Sequence, residues 1–328
     1  MTASIVSLHA TRAAAPTVKV LPPATGIYHA AYPDFCPTED CVSQARIRSF
    51  ERLAGKRIAW AYFSDNWFNG IHFPAAKVRA IWSVHHTIPF IRMMARANWS
   101  EGCTDKTYAL AKILAGRYDA QLRAYAKAAA AVQIPLMIEF GTEANGDWFP
   151  WSGACNGGRR VGAERFRDTF RHIVTLFQGT GARNVTWVFH LDASSATNDA
   201  DYYPGADYVD WVGLSAYGAQ APGEVSTPFR SVFDPAYRRL AAAAPGKPIA
   251  LLEFGTIGRG KAHWISDALH LIASGRYPRL KAESYWDSNW TNPGTGPSIM
   301  RIDSSPRVLA AYRAGVRVRA FASTVRFG

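Results

Sequence analysis

The 328-residue chain has only four cysteines. It also lacks any run of about 18 consecutive apolar residues, so no membrane-spanning helix is expected. No fixed-period repeat and no Gly/Ser or Pro linker divides it, which argues against an array or a two-domain chain. Acidic residues are outnumbered, 25 Asp and Glu against 37 Lys and Arg, for a formal net charge of +12. The basic residues are scattered rather than striped, so a nucleic-acid interface is not expected. A solvated basic surface is the simple reading, and an anionic polymer or cell surface is the alternative. The cysteines (Cys36, Cys41, Cys103 and Cys155) lack the paired spacing of a zinc site. Two disulfides are expected, most simply Cys36–Cys41 and Cys103–Cys155; four unpaired thiols are the alternative. Disulfides imply an extracytoplasmic setting, although Met1 to Ala15 makes a poor signal peptide.

What is present is alternation. After a small, polar, Pro-containing stretch over residues 1–25, expected to be a loose arm, short apolar runs alternate with helical patterns through residues 26–328. Strands are expected at Gly26–His29, Arg57–Phe63, Ile88–Met94, Pro135–Phe140, Asn184–His190, Tyr208–Ser215, Pro248–Glu253 and Leu280–Trp286. Helices are expected at Tyr118–Val132, Ala163–Phe177, Pro235–Ala244, His263–Ala273 and Pro306–Arg313. Phe166, Phe170, Ile173, Val174 and Phe177 fall at helical spacing. Ser304-Ser305-Pro306 reads as a cap followed by Pro in the first turn. Eight strands alternating with helices predict a single α/β domain, a (β/α)8 (TIM) barrel, whose active groups sit at the C-terminal strand ends.

Two of those strand ends carry carboxylates. Glu143 follows the fourth, in Glu143-Ala144-Asn145-Gly146-Asp147-Trp148-Phe149-Pro150-Trp151, and Glu253 ends the seventh, in Glu253-Phe254-Gly255. A pair of carboxyl groups is the requirement for cleaving a glycosidic bond, one as acid/base and one as nucleophile. Tyr217, after the sixth strand, is placed to hold Glu253 ionised by hydrogen bonding. Asn145 is a second orienting group. Of Trp148 and Trp151, one is expected to pack the loop and the other to meet sugar. Trp99, Trp67, Trp286 and Trp290 are candidates for a stacking rim, and His190 at the end of the fifth strand for a cleft residue. The bland readings are core packing for each Trp, and a helix cap or ion pair for each Glu. Asp65-Asn66 and Asp287-Ser288-Asn289 read as solvated loop groups or hydroxyl binders. No His, Asp or Glu set has metal-ligand spacing, and no cofactor is expected.

These motifs, with Gly26-Ile27-Tyr28, Tyr32-Pro33-Asp34, Ile113 to Asp119, Val212 to Gly218 and Tyr285-Trp286, resemble glycoside hydrolase family 26 over nearly the whole chain. The resemblance implies a retaining β-glycanase, with Glu143 as acid/base, Glu253 as nucleophile and Trp286 under the cleaved sugar; the aromatics spread over several loops point to endo-cleavage, the disulfides to secretion, and a monomer is expected. β-Mannan is that family's commonest substrate; β-1,3-xylan and mixed-linkage β-glucan are others, and a transglycosylase could use the same scaffold. Two positions depart from the pattern. Thr142 stands where a His usually precedes the acid/base, and Glu139 stands where Arg is common. Both point toward an atypical glycan such as a bacterial exopolysaccharide. By strand alternation Glu139 faces into the barrel, where a buried carboxylate needs a partner, and Arg92 on the third strand is the expected one. The rival class is a non-catalytic carbohydrate-binding barrel, which requires a missing or displaced carboxylate.

Overall fold

The structure, a computed structural model, describes residues 18–328 apart from 100, 101, 196, 292 and 293. It is a closed (β/α)8 barrel. The strands are β1 (Ile27–Tyr32), β2 (Trp60–Asn66), β3 (Ile88–Met94), β4 (Leu136–Phe140), β5 (Val185–Asp192), β6 (Trp211–Tyr217), β7 (Ile249–Gly255) and β8 (Leu280–Trp286). All pair in parallel with their neighbours, and β1 closes onto β8 from Tyr28↔Ala282 to Tyr32↔Trp286. The helices that follow each strand are α1 (Gln44–Ala54), α2 (Ala75–Trp82), α3 (Asp119–Ala131), α4 (Gly158–Gln178), the single turn α5 (Asp199–Tyr202), α6 (Phe229–Ala243), α7 (Lys261–Ala273) and α8 (Pro306–Val316).

Local chemistry explains the elements. The strands are buried on both faces, as parallel strands covered by helices must be. The buried face of α4 carries Phe166, Phe170, Ile173, Val174 and Phe177, at the spacing expected. At α8 the Ser305 side chain accepts from the Val308 N–H and Pro306 opens the first turn. Two helix starts differ clearly from expectation: α4 begins at Gly158 rather than Ala163, and α6 departs further. α6 begins at Phe229 and runs through Pro235, because apolar contacts of Phe229 and Phe233 with the rings of Phe254, Trp264 and Tyr277 outweigh the lost Pro N–H.

The barrel interior is layered. Tyr28, Trp60, Phe90 and Trp211 meet edge-on or tilted near its N-terminal end. That end is sealed by residues from the expected loose arm. Val20–Leu21 pairs antiparallel with Arg326–Phe327. The Trp211 indole N–H donates to Val20 O at 2.8 Å, the Tyr28 hydroxyl donates to Leu21 O at 3.0 Å, and Lys19 pairs with Asp210 at 2.8 Å. Residues 18–25 are therefore a strap, not a loose arm; residues 1–17 of that arm lie outside the described residues. Both expected cystine pairs form, with Cα–Cα distances of 5.8 Å for Cys36–Cys41 and 4.8 Å for Cys103–Cys155. Among the described residues no helix is long and apolar enough to cross a membrane.

Candidate active site

Above the aromatic floor lies a polar layer drawn from six successive strands: Tyr62, Arg92, Glu139, His190, Ser215 and Glu253. The barrel register places Arg92 directly beside Glu139, and Arg92 Nε lies 3.5 Å from Glu139 Oε1, so the expected partner is the one found. The same guanidinium lies 3.2 Å from Glu253 and 3.1 Å from Glu39. Glu139 is fully buried. It accepts the Tyr62 hydroxyl at 2.5 Å and faces His190 Nδ1 at 3.0 Å. Burial would raise its pKa, but His190, Arg92 and Tyr62 overcome that and hold it below the ordinary value.

Backbone irregularities aim the two carboxylates upward from this layer. The β6–β7 register shifts so that Leu214 faces Leu251 but Ser215 faces Glu253. Leu252 is the extra residue, and such a bulge re-aims the side chain beside it. Gly213 leaves room for it, since a Cβ there would collide with the Leu252 side chain. After β4, Gly141 adopts φ +65°, and its missing Cβ would lie 2.7 Å from the Phe166 ring and 2.8 Å from Trp151. Glu143 itself has φ +51°, a left-handed conformation that costs a non-glycine residue about 1–3 kcal/mol. That strain turns Glu143 back over the barrel mouth, where one of its oxygens lies within 4.8 Å of a Glu253 oxygen.

The two carboxyl groups have unlike partners. Glu253 Oε2 accepts the Tyr217 hydroxyl at 2.8 Å, while Oε1 faces Arg92. Burial raises the Glu253 pKa, and Arg92, His190 and Tyr217 pull against it. Burial also keeps the Tyr217 hydroxyl far above its ordinary range, so it remains a donor. Among the described residues no Lys or Arg pairs with Glu143, and His190 is the positive group that acts on it. The Trp148 indole N–H donates to its Oε2 at 2.9 Å. Burial, then the charges of Glu253 and Asp192, push its pKa up to about 8. A pKa raised to about 8 keeps the Glu143 carboxyl protonated near neutral pH, and Glu253 is the carboxyl with the charge-stabilising contacts of Arg92 and Tyr217.

The remaining expected residues divide. Asn145 exchanges hydrogen bonds with the Asp192 backbone in both directions, at 2.8 and 2.7 Å, pinning the Glu143 loop to the end of β5. Trp286 stacks on Tyr32 with centroids 4.3 Å apart and receives the Arg92 guanidinium at 5.1 Å. Trp148 is half-buried, and Trp99 is 47% exposed with Arg96 stacked 4.2 Å from its ring. Arg96 also approaches Phe149, linking Trp99 to Trp148 along one rim. Trp290 meets Tyr217 edge-on at the opposite rim. Trp67 departs from the expected sugar platform, and Trp151 takes the loop-packing place expected for one of the Trp148–Trp151 pair. Trp67 is wholly buried against Tyr108 and Phe140. Trp151 is 1% exposed, stacked on Phe149 and bonded to Thr142 O at 2.8 Å, so it packs the loop. His190 is buried beneath the cleft, not on its wall; its Nδ1 lies 2.8 Å from the Thr142 hydroxyl and its Nε2 2.8 Å from Ser215.

Sequence reasoning passed over Tyr62 and Ser215. The usable signal was alternation: each lies an even number of residues from another inward group, Ser64 and Tyr217 respectively. Glu143, His190 and Glu253 approach closely enough to meet one ion. Arg92 already supplies positive charge at Glu253, and both His190 nitrogens are engaged, so the arrangement suits proton chemistry better than a metal.

Comparison with known proteins agrees with this geometry. The model of glycosyl hydrolase family 26 matches residues 102–291. Endoglucanase H of Acetivibrio thermocellus is 31% identical over 283 residues, covering 84% of this chain and 29% of that protein. A mannan endo-1,4-beta-mannosidase of Bacillus subtilis is 27% identical over 175 residues, covering 52% of this chain and 44% of that one. The chain thus spans less than half the length of these curated relatives. The solved Bacillus subtilis mannanase BCman shares the fold, with TM-score 0.62 and 20% identity over 90% of this chain and 86% of its own.

Proposed function

The chain belongs to glycosyl hydrolase family 26, and from that premise we propose that it hydrolyses a β-linked polysaccharide internally, with retention of configuration. Glu143 gives its proton to the glycosidic oxygen as Glu253 attacks the anomeric carbon. The leaving sugar departs with that proton, and a glycosyl ester forms on Glu253. The ester is neutral, so one of the charges holding Glu143 protonated is gone. Glu143 then takes a proton from water, the water oxygen attacks the anomeric carbon, and Glu253 is released. The observation that carries this reading is the pair itself: two carboxyl groups within 4.8 Å, near the roughly 5–5.5 Å spacing of retaining enzymes, with unlike partners, Arg92 and Tyr217 at Glu253 and Trp148 at Glu143. Tyr217 and Arg92 favour the carboxylate of Glu253, and Asn145 fixes the Glu143 loop.

Aromatic rims on both sides of the pair, with Trp286 below, suit an open groove and endo-cleavage. A β-glucan backbone is favoured over mannan, because the longer and closer match is to an endoglucanase. The disulfides suit an oxidising, extracytoplasmic compartment. The test is release of reducing ends from a panel of mixed-linkage β-glucan, glucomannan, mannan, β-1,3-xylan and an acidic exopolysaccharide. Wild type should act on at least one, and Glu253→Ala should lose that activity by orders of magnitude; an active Glu253→Ala sinks the assignment.

A further inference from the structure

We propose that His190 is a positioning residue, an imidazolium held by Glu139 behind both carboxyl groups, which turns the Ser215 hydroxyl toward Glu143. This rests on the glycosidase reading and adds a part to it. The first argument is charge. Arg92 is shared among Glu39, Glu139 and Glu253, at 3.1, 3.5 and 3.2 Å. One guanidinium cannot neutralise three carboxylates, and an uncompensated buried charge is costly. A protonated His190 completes the balance: Arg92 and His190 against Glu139 and Glu253, with Glu39 at the edge and Glu143 holding its proton.

The second argument is hydrogen-bond direction. His190 Nδ1 lies 2.8 Å from the Thr142 hydroxyl and 3.0 Å from Glu139 Oε2; a lone pair there would face the carboxylate, so Nδ1 carries a proton and the hydroxyl accepts. Nε2 lies 2.8 Å from Ser215 Oγ. In the imidazolium, Nε2–H donates to Ser215, whose own O–H is then free to donate to Glu143, a contact that favours the Glu143 carboxylate. In the neutral ring, Ser215 must instead donate to Nε2 and Glu143 loses that contact. The third argument is placement: atoms of Glu143, His190 and Glu253 all lie within 4.8 Å of one another.

The groups facing His190 are Tyr62 from β2, Glu139 from β4, Thr142 and Glu143 from the loop beyond, Ser215 from β6 and Glu253 from β7. Asp192 of its own strand is also within electrostatic reach, and Arg92 of β3 reaches the same Glu139. Burial would discharge the imidazole, but Glu139, Glu253 and Glu143 together raise its pKa above the ordinary value. Its positive charge in turn lowers the pKa of both Glu143 and Glu253.

The deciding experiment observes the ring directly. Long-range 1H–15N correlation spectra of the 15N-labelled full chain, with His190 assigned from His190→Gln, should show an imidazolium that persists above pH 7. In Glu139→Gln the same ring should become neutral. A neutral His190 in wild type at pH 6, or an imidazolium unchanged in Glu139→Gln, overturns the proposal. The kinetic arm uses the glycan that wild type cleaves. Losing a nearby positive charge disfavours both carboxylates, so His190→Gln should move both limbs of the kcat/KM profile to higher pH by on the order of one pH unit. A fall in kcat with both limbs unmoved marks a merely structural role and contradicts the proposal. If wild type cleaves no glycan, the glycosidase reading fails while the spectra still decide the state of His190.

Discussion

Replacing Glu143 with Gln should make the protein more stable, and the gain should grow with pH. The carboxyl group is buried and its pKa is raised from 4.5 to about 8. Between those values the unfolded chain has released the proton and the folded chain retains it. Stability therefore falls as pH rises through that window and stays reduced above it. A tenfold change in proton affinity corresponds to about 1.4 kcal/mol, which sets a ceiling of about 5 kcal/mol on the penalty above pH 8. Gln is close in shape, remains neutral, and its carbonyl oxygen can still accept from Trp148. Below about pH 4 the two proteins should be nearly equal, because the wild-type carboxyl is then protonated in both states. Asp65 and Asp287, also raised to about 7 by burial, titrate in both proteins and cancel in the difference. Urea unfolding of wild type and Glu143→Gln at pH 4 and pH 8.5 measures the gap. A gap that is the same at both pH values, or that favours wild type at pH 8.5, refutes the reasoning.

Three further outcomes are expected. Tyr217→Phe removes a charge-assisted hydrogen bond to Glu253 worth about 1.5–3 kcal/mol; the acid limb of kcat/KM should rise by about one pH unit, with Arg92 limiting the change, and an unmoved limb contradicts the assignment. Trp99→Ala, at an exposed rim position, should raise KM with little change in melting temperature, whereas Trp67→Ala, wholly buried, should lose about 3–5 kcal/mol in a denaturant titration. Removing the Cys103–Cys155 link as a double Ser variant opens a loop of 52 residues and should cost about 2–5 kcal/mol, measured by thermal unfolding against reduced and oxidised wild type.

The strands were legible because their chemistry is local. Ile88–Met94 is a mostly apolar run broken only by Arg92, Leu280–Trp286 alternates apolar with polar residues before its aromatic end, and both form over the expected residues. The start of α6 was not legible, since a Pro reads as a first-turn residue while the contacts of Phe229 lie far away in sequence. The strap at Val20–Leu21 depends on a partner at Arg326–Phe327, a pairing that neither segment announces. Glu143, Glu253 and Tyr217 could be singled out because each lies at or just beyond the C-terminal end of a strand, and Arg92 could be matched to Glu139 because adjacent inward positions on parallel strands must meet. Trp67 was misread, and which of Trp148 and Trp151 packs the loop was left open, because a Trp in a loop looks the same on paper whether its ring faces a groove or Phe140. Tyr62 resembles core in sequence, and only closure of the barrel brings its hydroxyl to Glu139.

The most direct test of the central claim, that Glu143 and Glu253 act as an acid/base and nucleophile pair, is the anomeric form of the first product. Proton NMR followed from the start of hydrolysis of the preferred β-glycan should show the β-anomer of the new reducing end appearing first, with the α-anomer growing in only by mutarotation. Initial appearance of the α-anomer means inversion and contradicts the account.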